Sequence, residues 1–289
     1  MTTIPGFALG VYEKALPNYK DLPARLATAA KLGFDYLEMS IDPSEERLSR
    51  LSWSRDKRRE IYHIMEDTNL PIRSICLSAH RRYPLGSSSS AEREKSLRIM
   101  REAIDLASDL GVRIIQVAGY DTYGEPSNEN SCQRYLEGVQ QAVSWASEKV
   151  ILLGLENQEK GFVDSPTTAV EVIRKIGSPY LGLYMDVGNL IVKQHDLLAE
   201  IEAAGGYLLA VHVKDARPGE PRHVPFGEGG VPFDRVFNKL IAIGFRGPIT
   251  IEMWNEDLVD AEVISSKARD WIYQRLESAW LASESILKN

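Results

Sequence analysis

Gly247-Pro248-Ile249-Thr250-Ile251-Glu252-Met253-Trp254 decides the fold. A turn pair opens it, a short apolar run follows, and the run ends on one acid. Three earlier stretches share this form: Leu152-Leu153-Gly154-Leu155-Glu156, Leu181-Gly182-Leu183-Tyr184-Met185-Asp186 and Leu208-Leu209-Ala210-Val211-His212. Each places one metal-capable side chain at or near the C-terminal end of an apolar strand. Strands that are apolar on both faces belong in a parallel sheet covered by helices.

Working outward, eight strands are predicted: Phe7–Tyr12, Tyr36–Ser40, Ser74–Ala79, Ile114–Gly119, Val150–Glu156, Leu181–Asp186, Leu208–Val213 and Pro248–Met253. Their starts lie 27 to 40 residues apart, the size of one βα unit. Between them, helical periodicity marks Pro23–Leu32, Ala91–Leu110, Ser131–Glu148, Thr167–Ile176, Phe233–Ile243 and about Glu262–Lys288. Gly33, Gly111, Gly177 and Gly244 supply stops. Eight such units without a linker predict one α/β domain over residues 1–289, a (β/α)8 TIM barrel. A doubly wound open sheet is the runner-up. It would want a glycine-rich turn after its first strand, and Tyr12-Glu13-Lys14-Ala15-Leu16 has no glycine. Two longer segments interrupt the pattern. Ile41–Arg59 follows strand 2, and Arg81–Ser90, whose serine run reads as a flexible loop tip, follows strand 3.

The 289 residues are 44% hydrophobic with a net charge of −7, which suits a soluble globular chain and argues against a nucleic-acid backbone as partner. Two cysteines exclude a disulfide framework. Cys76, in an apolar run, reads as a buried free thiol, and a reducing cytoplasm is expected. Met1-Thr2-Thr3-Ile4-Pro5-Gly6 has no leader pattern, Ile286-Leu287-Lys288-Asn289 carries no address motif, and no apolar stretch approaches a membrane span.

Glu156, Asp186, His212 and Glu252 stand at comparable positions on the last four predicted strands. Neighbouring strands are about 4.8 Å apart, so these side chains can converge on one point. Three carboxylates and one imidazole suit Zn²⁺, Mn²⁺, Co²⁺ or Mg²⁺. Clustered carboxylates at an apolar barrel mouth would otherwise repel and resist ionisation. Glu156 and Glu252 come from the outer two strands of the four. They can flank a small ligand, one removing a proton beside a polarised carbonyl and the other returning one on the opposite face.

At this point the chain resembles a known family. Leu9-Gly10-Val11-Tyr12-Glu13-Lys14-Ala15-Leu16, Glu38-Met39-Ser40-Ile41-Asp42, Arg47-Leu48-Ser49-Arg50-Leu51, Cys76-Leu77-Ser78-Ala79-His80-Arg81-Arg82, Val117-Ala118-Gly119-Tyr120-Asp121, Asp186-Val187-Gly188-Asn189-Leu190, Val211-His212-Val213-Lys214-Asp215, Val224-Pro225-Phe226-Gly227-Glu228-Gly229 and Ile251-Glu252-Met253-Trp254 are similar, in order, to blocks of the L-ribulose-5-phosphate / L-xylulose-5-phosphate 3-epimerases. These enzymes of bacterial ascorbate and pentose use, also known as hexulose-6-phosphate isomerases, are xylose-isomerase-like barrels. The resemblance implies a metal-dependent cytoplasmic epimerase, a homodimer acting on a small ketose phosphate. Glu156 and Glu252 would then be both acid/base pair and ligands, with Asp186 and His212 completing the site and Zn²⁺ or Mn²⁺ the metal. Where relatives read Glu-Ile-Met-Asp after strand 5, this chain has Glu156-Asn157-Gln158-Glu159.

A phosphate needs donors. Lys14, Ser78, His80, Arg81, Lys214, Arg217 and His223 lie on the expected active face, and Asn189 can reach a substrate hydroxyl. His80, read as ending strand 3, leads this set. The glycines of Phe226-Gly227-Glu228-Gly229-Gly230 allow close backbone approach or a mobile loop. Tyr12, Phe226 and Trp254 are candidate pocket walls.

Rival readings share or depart from this fold. An aldose–ketose isomerase or a dehydratase would use the same site. An apurinic endonuclease would need more histidines than the five present and a less acidic chain. A non-catalytic sugar-phosphate sensor would bind without turnover.

Overall fold

The structure, a computed structural model, describes residues 4–287. The extreme ends read above for leader and address motifs, and the Lys288 end of the last predicted helix, lie outside the described residues. Eight parallel strands close into a barrel: β1 (Ala8–Tyr12), β2 (Tyr36–Ser40), β3 (Ile72–Leu77), β4 (Ile114–Ala118), β5 (Leu152–Glu156), β6 (Leu181–Asp186), β7 (Leu208–Val213) and β10 (Pro248–Ile251). The ring closes through β1 beside β10, with Val11 opposite Ile251. An antiparallel ribbon, β8 (Asp215–Arg217) and β9 (Glu220–Val224), stands between β7 and β10 in sequence. The closed ring excludes the doubly wound alternative.

Outside the barrel run α1 (Leu22–Lys31), α2 (Glu45–Leu48), α3 (Arg55–Thr68), α4 (Ser90–Leu110), α5 (Glu129–Glu148), α6 (Pro166–Ile176), α7 (Val187–Val192), α8 (Leu197–Ala204), α9 (Phe233–Ala242) and α10 (Ala261–Leu287). α4 buries Ile99, Met100, Ala103, Ile104, Leu106, Ala107 and Leu110, the stripe its periodicity shows. Each large aliphatic side chain so buried contributes about 1.5–3 kcal/mol. No helix among the described residues is long and apolar enough to cross a membrane. Cys76 is a buried free thiol.

Several expectations are corrected. The segment Ile41–Arg59, read only as an interruption of the pattern, holds α2, a 3-10 turn over Ser49–Ser52 and the start of α3. The serine run is a capping turn, not a loose tip. Ser87 Oγ donates to Glu92 at 2.6 Å, and Ser89 caps α4. β3 runs Ile72–Leu77, so Ser78–Arg81 form a 3-10 turn and His80 does not end a strand. α7, α8 and the β8–β9 ribbon were not expected.

Even-numbered residues of the barrel strands face inward, and the interior is partly polar. Tyr36 and Tyr184 are fully buried there. Gly10 and Gly154 make room for them, since a Cβ on Gly10 would strike the Tyr36 ring and one on Gly154 would crowd Tyr184 at its Cβ. Tyr36 shares a hydrogen bond with Thr250 at 2.7 Å, and Thr250 shares one with Tyr184 at 2.8 Å.

A second buried polar group braces the β1–β2 side. Glu13 is fully buried and receives Arg50 through both nitrogens at 2.6 and 2.7 Å, together with Arg25. Arg47 lies 3.6 Å away, and the Ser40 amide donates at 2.9 Å. Burial pushes the Glu13 carboxyl up, but Arg50, Arg25 and Arg47 outweigh it and hold the group at about 2.

Candidate active site

Glu156 ends β5, Asp186 ends β6, His212 lies one residue before the end of β7, and Glu252 follows β10 directly. Strand pairing runs β5–β6–β7–β10, which sets the four in one row. All are buried, and each offers one ligand atom within 4.8 Å of the others. Three carboxylates and an imidazole nitrogen at that spacing form a fitting donor set for a divalent cation.

Each ligand is held. His212 Nδ1 is 2.7 Å from Glu156 Oε1 and 3.9 Å from Glu252 Oε1. Glu156 Oε2 also accepts from the side-chain amides of Gln116 and Gln158. Asn157 pairs with the Asp186 backbone through both ends of its amide, at 2.9 Å each. It thereby adds one rung between β5 and β6. The Asn157-Gln158 departure noted in the sequence is thus used to brace two ligands.

Lys214 Nζ bridges Asp186 Oδ2 at 2.6 Å and Glu252 Oε2 at 3.1 Å. It is one residue past β7 and joins the metal cluster directly. Burial raises Asp186 to about 7, against the pull of Lys214. Burial also acts to raise Glu252, but Lys214 and His212 hold it at about 2. Burial raises Glu156, against its bond to His212. Three carboxylates thus face one ammonium and one imidazole, and the row has room for more positive charge.

The other expected binders scatter. Lys14 is engaged in an ion pair with Asp42. Asn189 is buried, donates to the Asn157 carbonyl at 2.9 Å, and its own amide donates to Asp186 Oδ1 at 3.0 Å. Ser78 is buried in the turn after β3. His80 turns outward, with Nε2 3.3 Å from the Ser96 carbonyl of α4. Burial lowers it to about 4, so it is neutral at neutral pH. Arg217 is largely exposed on β8 and donates to the Glu228 carbonyl at 2.7 and 3.0 Å.

Arg81 differs from these. Its side chain makes no hydrogen bond or ion pair among the described residues, and it lies near enough to Tyr120 and Tyr12 to interact electrostatically. The Tyr120 hydroxyl is buried and has no partner either.

Beside Glu252 and Lys214 opens a cavity of about 180 Å³, roofed by Arg222, His223 and Phe226 and walled by Trp254. Arg222 stacks over Trp254 at 4.3 Å, and Tyr12 meets Trp254 edge-on at 6.2 Å. The glycine-rich loop is latched: Asp215 accepts the amides of Gly227, Gly229 and Val231 at 2.8, 2.9 and 3.2 Å.

Sequence reasoning passed over Glu38, Gln116, Tyr184 and Thr250. Glu38 is fully buried on β2, with Oε1 2.6 Å from His212 Nε2. The available signal was parity: these polar residues share the inward face with the four ligands.

Known proteins agree with this picture. The chain is 43% identical over 271 residues to the L-ribulose-5-phosphate 3-epimerase UlaE of Escherichia coli (strain SMS-3-5 / SECEC), spanning 94% of this chain and 95% of that one. It is also 43% identical over 273 residues to the protein of the same name from Salmonella heidelberg (strain SL476), covering 94% and 96%. Among solved structures, an L-ribulose 3-epimerase superposes with a TM-score of 0.79 at 20% identity, over 96% of this chain and 97% of that one. A D-tagatose 3-epimerase-like protein gives 0.75 at 21%, over 93% and 99%. The family model of the xylose isomerase-like TIM barrel matches residues 26–275. With its closed eight-stranded ring and its row of ligands at the strand ends, the chain belongs to the xylose isomerase-like TIM barrel family.

Proposed function

We propose that the protein is an L-ribulose-5-phosphate 3-epimerase, an isomerase that interconverts L-ribulose 5-phosphate and L-xylulose 5-phosphate. One observation carries the chemistry: Glu156 and Glu252 stand at the two ends of the ligand row, with Asp186 and His212 between them. The 43%-identical relatives supply the substrate. Glu156, Asp186, His212 and Glu252 would hold the divalent cation, Zn²⁺ or Mn²⁺ by donor type, and it supplies Lewis-acid polarisation of the ketose carbonyl.

The chain's own residues do the rest. One of Glu156 and Glu252 takes the proton from C3, and the other delivers a proton to the opposite face of that carbon. Gln116 and Gln158 aim the first carboxylate, and Lys214 aims the second. Tyr12 and Trp254 line the approach and limit water. For the substrate phosphate, the Arg81 side chain is a cation that makes no ion pair among the described residues, and the Tyr120 hydroxyl near it is a second unspent donor. Lys14, His80 and Arg217 are committed elsewhere. The reading extends to a cytoplasmic homodimer, and its two unpaired cysteines accord with a reducing compartment.

Turnover of L-ribulose 5-phosphate in D₂O tests the reaction. Deuterium at C3 is expected. Label at C1 without C3 would sink the epimerase and leave the aldose–ketose isomerase in its place.

A further inference from the structure

We propose that Glu38 is a positioning residue that fixes His212 as an Nδ1 ligand. This inference rests on the metal site of the proposed function and adds the reason for its geometry. The two nitrogens of His212 face different groups. Nδ1 looks along the ligand row, 2.7 Å from Glu156. Nε2 looks away from the row, 2.6 Å from Glu38 Oε1, and Glu38 is not among the four clustered ligands.

Proton bookkeeping assigns the donor. Tyr184 donates its one hydroxyl proton to Glu38 Oε2 at 2.6 Å. Its bond with Thr250 at 2.8 Å must then be accepted by Tyr184, so Thr250 is the donor there. Thr250 has spent its proton, so Tyr36 donates to Thr250 at 2.7 Å. Ser74 Oγ donates to the same Glu38 oxygen at 2.7 Å. Every hydroxyl in this buried network therefore points its proton toward one carboxylate. Such aligned hydrogen bonds reinforce one another.

Glu38 is left as a pure acceptor, so the proton between it and His212 belongs to Nε2. With the cation in place, the imidazole would be neutral, protonated at Nε2, and its lone pair at Nδ1 would face the side where the carboxylates meet. The Tyr184 ring packs 4.5 Å from the imidazole and keeps it from turning. A carboxylate behind a histidine raises its basicity as a ligand and sets its orientation, and removing such a partner costs 10- to 100-fold in metal affinity in known sites. Glu38 reaches across the barrel interior from β2, so this half of the ring contributes to a site whose ligands all come from the other half.

Zn²⁺ affinity, read by competition with a chelating dye, tests the proposal together with NMR of nitrogen-labelled histidine in the Zn²⁺-loaded native protein. Glu38→Leu should bind Zn²⁺ about 10- to 100-fold more weakly. Glu38→Gln should fall between, because its amide oxygen can still accept from Nε2. NMR should place the proton of His212 on Nε2 and the metal on Nδ1, a result that does not depend on any variant folding. Unchanged affinity in a folded Glu38→Leu, or a metal on Nε2, overturns the proposal and leaves the epimerase reading intact. A native protein that binds no Zn²⁺, Mn²⁺ or Co²⁺ overturns both.

Discussion

Two groups of buried charges lie at the C-terminal end of the barrel, and they are balanced in opposite ways. On the β1–β2 side, one acid, Glu13, is surrounded by Arg25, Arg50 and Arg47. On the β5–β10 side, Glu156, Asp186 and Glu252 share Lys214 and His212. The first group satisfies its carboxylate wholly from within the chain. The second holds more acid than its own cations cover. Burial alone therefore does not mark a functional site. A deficit of countercharge among groups arranged around one point does.

The comparison can be broken most sharply at Glu252. Glu252→Gln should lower epimerisation by about 10³-fold, within the range for loss of a positioned acid/base group. Its circular dichroism spectrum should match that of the native protein. Turnover that survives in this variant would remove the acid/base reading of the row.

Glu13→Gln should do the converse. It leaves buried Arg25 and Arg50 short of their nearest carboxylate, while Arg47 keeps Asp42 and Glu256, and it should cost about 3 kcal/mol of stability while the remaining folded protein keeps its turnover. Urea unfolding monitored beside activity separates the two effects. The pH dependence has a definite sign. Glu13 sits at about 2 when folded, below its ordinary value of 4.5. Its contribution is thus full above about pH 4.5 and is lost as the pH falls toward about 2. The stability gap between native protein and Glu13→Gln should close over that window. A gap that persists unchanged at about pH 2 would show that the carboxylate charge is not what braces this side.

A smaller effect is expected at Arg81. Arg81→Met should raise KM for the phosphorylated ketose about tenfold or more, the worth of one charge-assisted contact. It should leave the KM of the unphosphorylated sugar unchanged. Arg217→Met, whose arginine is spent on Glu228 and Glu220, is the control and should do neither. The smallest change is expected at His80, neutral and turned against α4. His80→Asn should shift KM by less than about threefold, and an NMR titration should find its midpoint near 4. A midpoint near 6.5 would put the imidazole in water and reopen it as a phosphate contact.

Much of this was readable in the residues. The strands were visible because apolar runs of five or six residues ended in turns, and the ligand row because one acid or histidine closed each of four runs. α3 was missed because its sequence, RDKRREIYHIMEDT, buries only Ile61 and Met65 and leaves a stripe too thin to recognise. The β8–β9 ribbon was missed because its strands are three and five residues long and carry no alternation. Glu38 escaped for a different reason. In Tyr36-Leu37-Glu38-Met39-Ser40 it reads as a single polar break in an apolar strand, and its partners Ser74, Tyr184 and His212 lie 36 to 174 residues away along the chain. Only closure of the ring brings them together. Arg81 was legible as a charge but not as an unpaired one, because pairing is a property of the fold.

The latch between Asp215 and the glycine-rich loop bears on time as well as place. Five residues as glycine-rich as Phe226–Gly230 would lose their amide protons to solvent within moments if they hung free. Here the amides of Gly227, Gly229 and Val231 are tied to a buried carboxylate, so each exchanges only when that bond opens. The rim of the cavity at this point is a fixed edge. Phe226, which lines the cavity beside Glu252, sits next to the first of these ties.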